Sequence, residues 1–134
     1  MKTTLPFFTT IAVVVLAIFA LGCGGYGSSS GSGSMAAGAP HISDPLVPNA
    51  ATAGSAGFTL TVNGTGFVTQ STIYWNSTSH TTQFMTSGQL TTAITAAEVA
   101  NAGTVPVYVR NPGGTGIYNT QPGTNSNMVS FTVQ

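Results

Sequence analysis

The segment Phe58 to Phe67, FTLTVNGTGF, constrains the fold of this chain more than any other stretch. Phe58, Leu60 and Val62 alternate with Thr59 and Thr61, which is the two-residue period of a strand with one face in a core and the other in water. The alternation halts at Asn63-Gly64-Thr65-Gly66, where two glycines allow backbone angles that other residues resist. A turn is expected there, with Phe67 carrying the chain back into the core.

The same period recurs downstream. Ile42 marks a short first strand, broken by Pro45 and Pro48, which keep an edge from pairing onward. Thr72 to Trp75 places Ile73 and Trp75 on one face and Tyr74 on the other, and Asn76-Ser77-Thr78-Ser79 turns the chain. Gln83 to Thr86 is a weaker strand around Phe84, and Gln89 to Ile94 a firmer one. Thr95 and Glu98 have capping-box spacing, which predicts a helical turn over Ala96 to Ala102 with Gly103 as its C-terminal glycine. Thr104 to Arg110 buries Val105, Val107 and Val109 and exposes Pro106, Tyr108 and Arg110; Met128 to Val133 buries Val129, Phe131 and Val133. Short strands without a βαβ rhythm predict an all-β fold, an immunoglobulin-like sandwich of packed antiparallel sheets. Phe58, Leu60, Val62, Phe67, Ile73, Trp75, Leu90 and Ile94 complete the expected core with the valines and Phe131.

Only 3 % of the 134 residues are charged, and the formal net charge is zero. With Lys2 and Arg110 as the only basic side chains there is no patch to neutralise phosphates, which argues against nucleic acid as a partner. A near-neutral surface rich in Thr, Ser, Asn and Gly also gives little colloidal repulsion and suits a protein held on a surface.

The N-terminus has the pattern of an address. Lys2 precedes the uncharged apolar run Pro6 to Leu21, and the single cysteine, Cys23, follows Ala20-Leu21-Gly22. This resembles a bacterial lipobox, with Ala20 where that pattern usually has Leu. The resemblance implies a signal peptide over residues 1–22, lipidation of Cys23, and membrane attachment through the lipid. A plain signal peptide or an uncleaved anchor is the alternative. Gly24, rather than Asp, follows the cysteine and resembles outer-membrane sorting in the cell envelope. Residues 24–39, GGYGSSSGSGSMAAGA, have the composition of a flexible tether, which puts the following domain roughly 20–24 Å from the anchor.

Residues 40–134 form the expected domain. Its ordered motifs, AGSAGFTLTVNGTGF, STIYWN, QLTTAI, AGTVPVYVRNPGG and SNMVSFTV, resemble the IPT/TIG domain, an immunoglobulin-like module found in plexins, some transcription factors and bacterial surface proteins. The resemblance implies a sandwich without a disulfide and a binding or spacer role rather than catalysis. The link Asn111 to Asn127 is longer than that family's usual one. Gly, Pro, Asn and Thr dominate it, which favours an unordered link, while Ile117 and Tyr118 at its middle make it a candidate binding loop.

Chemistry has little to work with. His41, His80, Asp44 and Glu98 are too few and too scattered in sequence to suggest a metal centre or a nucleophile with its base, and no cofactor is implied. The two histidines are expected as ordinary surface residues; a hydrolase would need one of them beside a carboxylate in a deep pocket. Asn63-Gly-Thr65 and Asn76-Ser-Thr78 match the glycosylation acceptor pattern and are taken as turn chemistry. If the strands of Tyr74 and Arg110 share a sheet, Tyr74, Tyr108 and Arg110 share its outer face and form a candidate face for a protein or glycan ligand. The other reading is a structural spacer or self-assembling envelope subunit without a ligand. Replacing Cys23 by Ser is expected to move the protein out of the membrane fraction; unchanged partitioning on fractionation would point to an uncleaved helix.

Overall fold

The computed structural model describes residues 31–134; the expectations for residues 1–30, Cys23 among them, lie outside the described residues. Among the described residues, ten strands make two facing sheets. They are β1 (His41–Ile42), β2 (Ala50–Ala51), β3 (Phe58–Thr65), β4 (Thr72–Trp75), β5 (Thr78–Ser79), β6 (Thr82–Thr86), β7 (Gln89–Ile94), β8 (Gly103–Asn111), β9 (Thr124–Asn125) and β10 (Val129–Val133). One sheet has the order β1-β3-β7-β6; the other has the order β2-β10-β8-β4-β5, with β9 alongside β8. The segment between β1 and β2 crosses from the first sheet to the second, and Leu46, between Pro45 and Pro48, is buried in that crossing.

Alternation sets which side chains face inward. β3 and β7 pair with Phe58 opposite Ile94, Leu60 opposite Thr92 and Val62 opposite Leu90, so one face of the pair is almost wholly apolar. From the second sheet come Ile73, Trp75, Val107, Val109, Val129, Phe131 and Val133, all buried. Phe131 joins the layers. Its ring lies 4.9 Å from Trp75, tilted by 55°, and 5.6 Å from Phe58 of the opposite sheet. Such offset and tilted pairs each contribute about 0.5–1.5 kcal/mol beyond the burial of their area. Val105 and Phe58 are only half-buried but pack against the same core, which also takes in Ile42, Leu46 and Val99.

Several local expectations change. β3 runs on through Asn63-Gly64-Thr65 rather than turning, because β1 pairs there, with His41 opposite Thr65 and Ile42 opposite Gly64. Gly64 is needed for close approach: a Cβ would collide with the His41 carbonyl and the Phe67 ring. The chain turns one step later, at Gly66 with φ +74°. Asn76 and Ser77 do make a turn, a two-residue hairpin with both φ values positive, closed by Trp75 opposite Thr78. The helical turn shortens to a 3₁₀ turn over Ala96–Val99, and Gly103 opens β8 instead of capping it. Glu98 reaches back as expected, its Oε2 accepting from the Thr95 N–H and the Thr95 hydroxyl, both at 2.8 Å.

The long link is not an open coil. It holds a 3₁₀ turn (Gly116–Tyr118) and β9, and it closes on itself through Gly114 N–H to Gln121 O and Gln121 N–H to Tyr118 O, each 2.9 Å. It also grips the segment before the domain. Thr115 N–H donates to Ser34 O at 2.8 Å, Ala36 N–H donates to Gln121 Oε1 at 2.8 Å, and the Thr124 hydroxyl lies 3.1 Å from the carbonyls of Ala37 and Gly38. The two segments lie so close that a Cβ on Gly33 would strike the Thr115 carbonyl and one on Gly116 the Ser32 carbonyl. Residues 34–38, expected as part of a free tether, therefore lie as a strap along the loop.

Asn111 fastens this end of the sandwich. Fully buried at the end of β8, it accepts from the Ser71 hydroxyl at 2.6 Å and donates to the carbonyls of Gly38 and Gly66 at 2.8 Å each. The strap, the β3–β4 connection and β8 thus share one side-chain amide. Asn111→Ala would leave the two carbonyls and Ser71 without this partner. It should lower the unfolding free energy by about 1–3 kcal/mol in urea titration with an unchanged m value, whereas a loss below 0.5 kcal/mol, roughly the scatter of surface substitutions, would contradict this role.

Candidate functional site: the tyrosine face of the second sheet

The residues that face outward from β4 and β8 follow from the ones that face inward. With Ile73, Trp75, Val107 and Val109 in the core, Thr72, Tyr74, Tyr108 and Arg110 must point to the other side. β4 and β8 are direct neighbours, paired with Tyr74 opposite Tyr108 and Thr72 opposite Arg110. The two tyrosine rings stack with centroids 4.8 Å apart and planes within 6°. Each ring spends one face on the other, and both side chains are half-buried.

Arg110 continues the row. It is exposed, two residues beyond Tyr108 on the same face, and faces Thr72 on one side and Asn125 of β9 on the other. Its stem runs over the bare backbone of Gly123, where a Cβ would come within 3.0 Å of Nε. The surrounding outward residues are uncharged: Ser79 opposite Tyr74, Thr72 opposite Arg110, and the apolar Pro106 opposite Ser130.

Met128 was not legible as part of this face. β9 pairs Asn125 with Arg110 and β10 pairs Val129 with Val107, so both Asn127 and Met128 fall opposite Tyr108, the two-against-one arrangement of a bulge. Asn127 turns its amide to Ile42 of the other sheet, accepting from its N–H at 2.7 Å and donating to its carbonyl at 3.0 Å. Met128 is left 65 % exposed beside the tyrosine pair. Alternation with Val129 turns Met128 outward in the sequence, but the bulge that sets it opposite Tyr108 follows only from the pairing with β8.

Ile117 and Tyr118 lie in the 3₁₀ turn of the long loop, Ile117 62 % exposed against Gly31 and Tyr118 half-buried against Gly114. They belong to the loop that grips the strap and are not in the row of Tyr74, Tyr108 and Arg110. A shallow cavity of about 250 Å³ opens between the strap, the β3–β4 connection and this loop, lined by Ser34, Met35, Val68, Gln70 and Pro112 among others.

His80 departs from expectation. Instead of lying free on the surface, its side chain is only 11 % exposed and its Nε2 stands 2.8 Å from Glu98 Oε1, while Nδ1 faces the Ala93 carbonyl at 3.4 Å. The pair fastens the β5–β6 connection to the 3₁₀ turn. Both ring nitrogens face oxygens and the nearby Thr95 hydroxyl bonds the carboxylate rather than the imidazole, so the nucleophile-to-base contact of a hydrolase is not made here. Among the described residues no three His, Cys, Asp or Glu side chains gather as a metal site would need. No helix among them is long and apolar enough to cross a membrane.

Compared with known proteins, the chain has no match among curated sequences. Compared with known families, it matches the IPT/TIG domain over residues 40–133, the whole span of both sheets. Two sheets closed over an uncrosslinked core and that match together place the chain in the IPT/TIG domain family, a non-enzymatic immunoglobulin-like module often used for binding or as a spacer.

Proposed function

We propose that this protein is a lipid-anchored, non-enzymatic component of the bacterial cell envelope, attached through Cys23 to the outer membrane, whose module offers the outer face of β4 and β8 to a glycan. The carrying observation is the stacked pair Tyr74–Tyr108, held in place from behind by Trp75, Val107 and Val109. Aromatic rings on a rigid sheet give a large contact area at low entropic cost, and the flanking Ser and Thr hydroxyls suit the polar edges of sugars. The exposed Ile117 and its neighbour Tyr118 offer a second contact on the long loop for the same or a protein ligand. The lipobox-like Cys23 and the neutral surface support the anchored location.

A self-assembling subunit is the second reading, favoured by β6, an edge strand whose five residues, Thr82–Thr86, carry no charge. The irregular register between Phe84 and Thr86 works against it, since a bulge spoils an edge as a template.

The test is glycan-array binding by the full chain, kept soluble in a non-glycosidic detergent. Tyr74→Ala and Tyr108→Ala should each weaken retention by about ten-fold or more, as truncation of an aromatic hot spot does. The same variants should lose about 0.5–1.5 kcal/mol of stacking plus the burial of each half-buried ring, and melts check that they remain folded. Wild-type binding by both alanine variants would assign the stack to sheet stability alone.

A further inference from the structure

We propose that the ligand of this face is a carboxylate-bearing saccharide of the uronic-acid type, with its ring against the tyrosine pair and its acid group on Arg110; this rests on the glycan reading above. Arg110 is the only Lys or Arg among the described residues, the other basic residue of the chain being Lys2. It stands on a face where no acid waits for it. Of the two carboxylates, Glu98 is occupied by His80 and Thr95, and Asp44 lies in the crossing between β1 and β2. Among the described residues the guanidinium has neither a salt bridge nor a side-chain hydrogen bond, although its Nε is held against Gly123. A neutral sheet face thus carries a single cation without an acid beside it.

Position supports the same chemistry. Successive outward residues on a strand lie about 6.6 Å apart along its axis, so Arg110 begins one step beyond the Tyr108 ring, where the exocyclic group of a stacked sugar would lie. The planar guanidinium matches a carboxylate with two parallel hydrogen bonds. Extended polyanions are disfavoured because one cation releases too few counterions to hold them. An acidic peptide would bring the same carboxylate but no sugar ring to set against the tyrosine pair, and it is an outcome of the test below. An exposed pair is screened by salt, so the acid group should set preference more than total affinity.

The experiment titrates the full chain, in the same non-glycosidic detergent, with tetragalacturonic acid and with its fully methyl-esterified form, which keeps the rings and removes the charge. At low ionic strength the acid should bind roughly five-fold tighter than the ester, and the difference should shrink in 1 M salt. Arg110→Gln should abolish the preference by weakening acid binding more than ester binding, Arg110→Lys should restore part of it, and Tyr108→Ala should weaken both ligands. Equal binding of acid and ester by the wild type, or a preference that survives Arg110→Gln, would overturn the acid assignment while leaving the glycan reading intact. Binding of neither saccharide, with or without capture of a Glu-rich peptide, would overturn the acid assignment; array binding of other glycans then decides whether the broader reading also falls.

Discussion

The contact of Phe131 with Trp75 on its own sheet and Phe58 on the other is the interaction on which this fold depends. Immunoglobulin-like sandwiches often bridge their sheets with a disulfide, but the only cysteine here is Cys23, ahead of the domain. With two acidic and two basic residues in the whole chain, ion pairs cannot substitute for it. What remains is shape: interlocking aromatic and branched side chains, packed as densely as an organic solid and kept dry between two sheets. Every outward position inherits its direction from that packing, because a strand that commits Val107 and Val109 to the core has no choice about Tyr108 and Arg110.

The parts of the structure legible in the sequence are those governed by this period. The pairing of β4 with β8 puts Tyr74 and Tyr108 on one outer face, as alternation implies, and the inner face holds the apolar residues expected of it. The illegible parts depend on contacts between distant segments. Leu46 is buried between two prolines where no strand period operates, and Gly64 serves close pairing with β1 although locally it resembles a turn residue. Gly103 follows a short apolar run and looks like a helix cap, yet it begins a strand, since nothing in the local sequence reveals that β10 will pair with it. Asn111 is the sharpest case. A polar residue at the head of a Gly/Pro-rich link suggests solvent, and its burial is explained only by Ser71, Gly38 and Gly66, which come from three other parts of the chain.

The same long-range bonding revises the picture of the link and the tether. Compositionally both are coils, and neither has enough apolar surface to fold alone. Together they satisfy one another's backbone groups, with the Thr115, Gln121 and Thr124 side chains bonding residues 34–38. The extra length of the link therefore has a structural use at the point where the chain enters the domain. By passing Gly123 under the Arg110 stem, the link also helps to orient the one cation of the tyrosine face.

One arrangement of β4 and β8 thus serves two purposes, closing the core on one side and presenting a stacked aromatic pair with a guanidinium on the other. The most direct measurement is a side-chain chemical-shift map of the full chain with and without tetragalacturonic acid. The account predicts strong shifts for the Tyr74 and Tyr108 rings, the Arg110 guanidinium and the Met128 methyl, and near silence from the methyls of Ile73, Val107 and Val109 on the same strands. Shifts confined to the Asn111–Asn127 loop, or equal on inward and outward residues of β4 and β8, would contradict it.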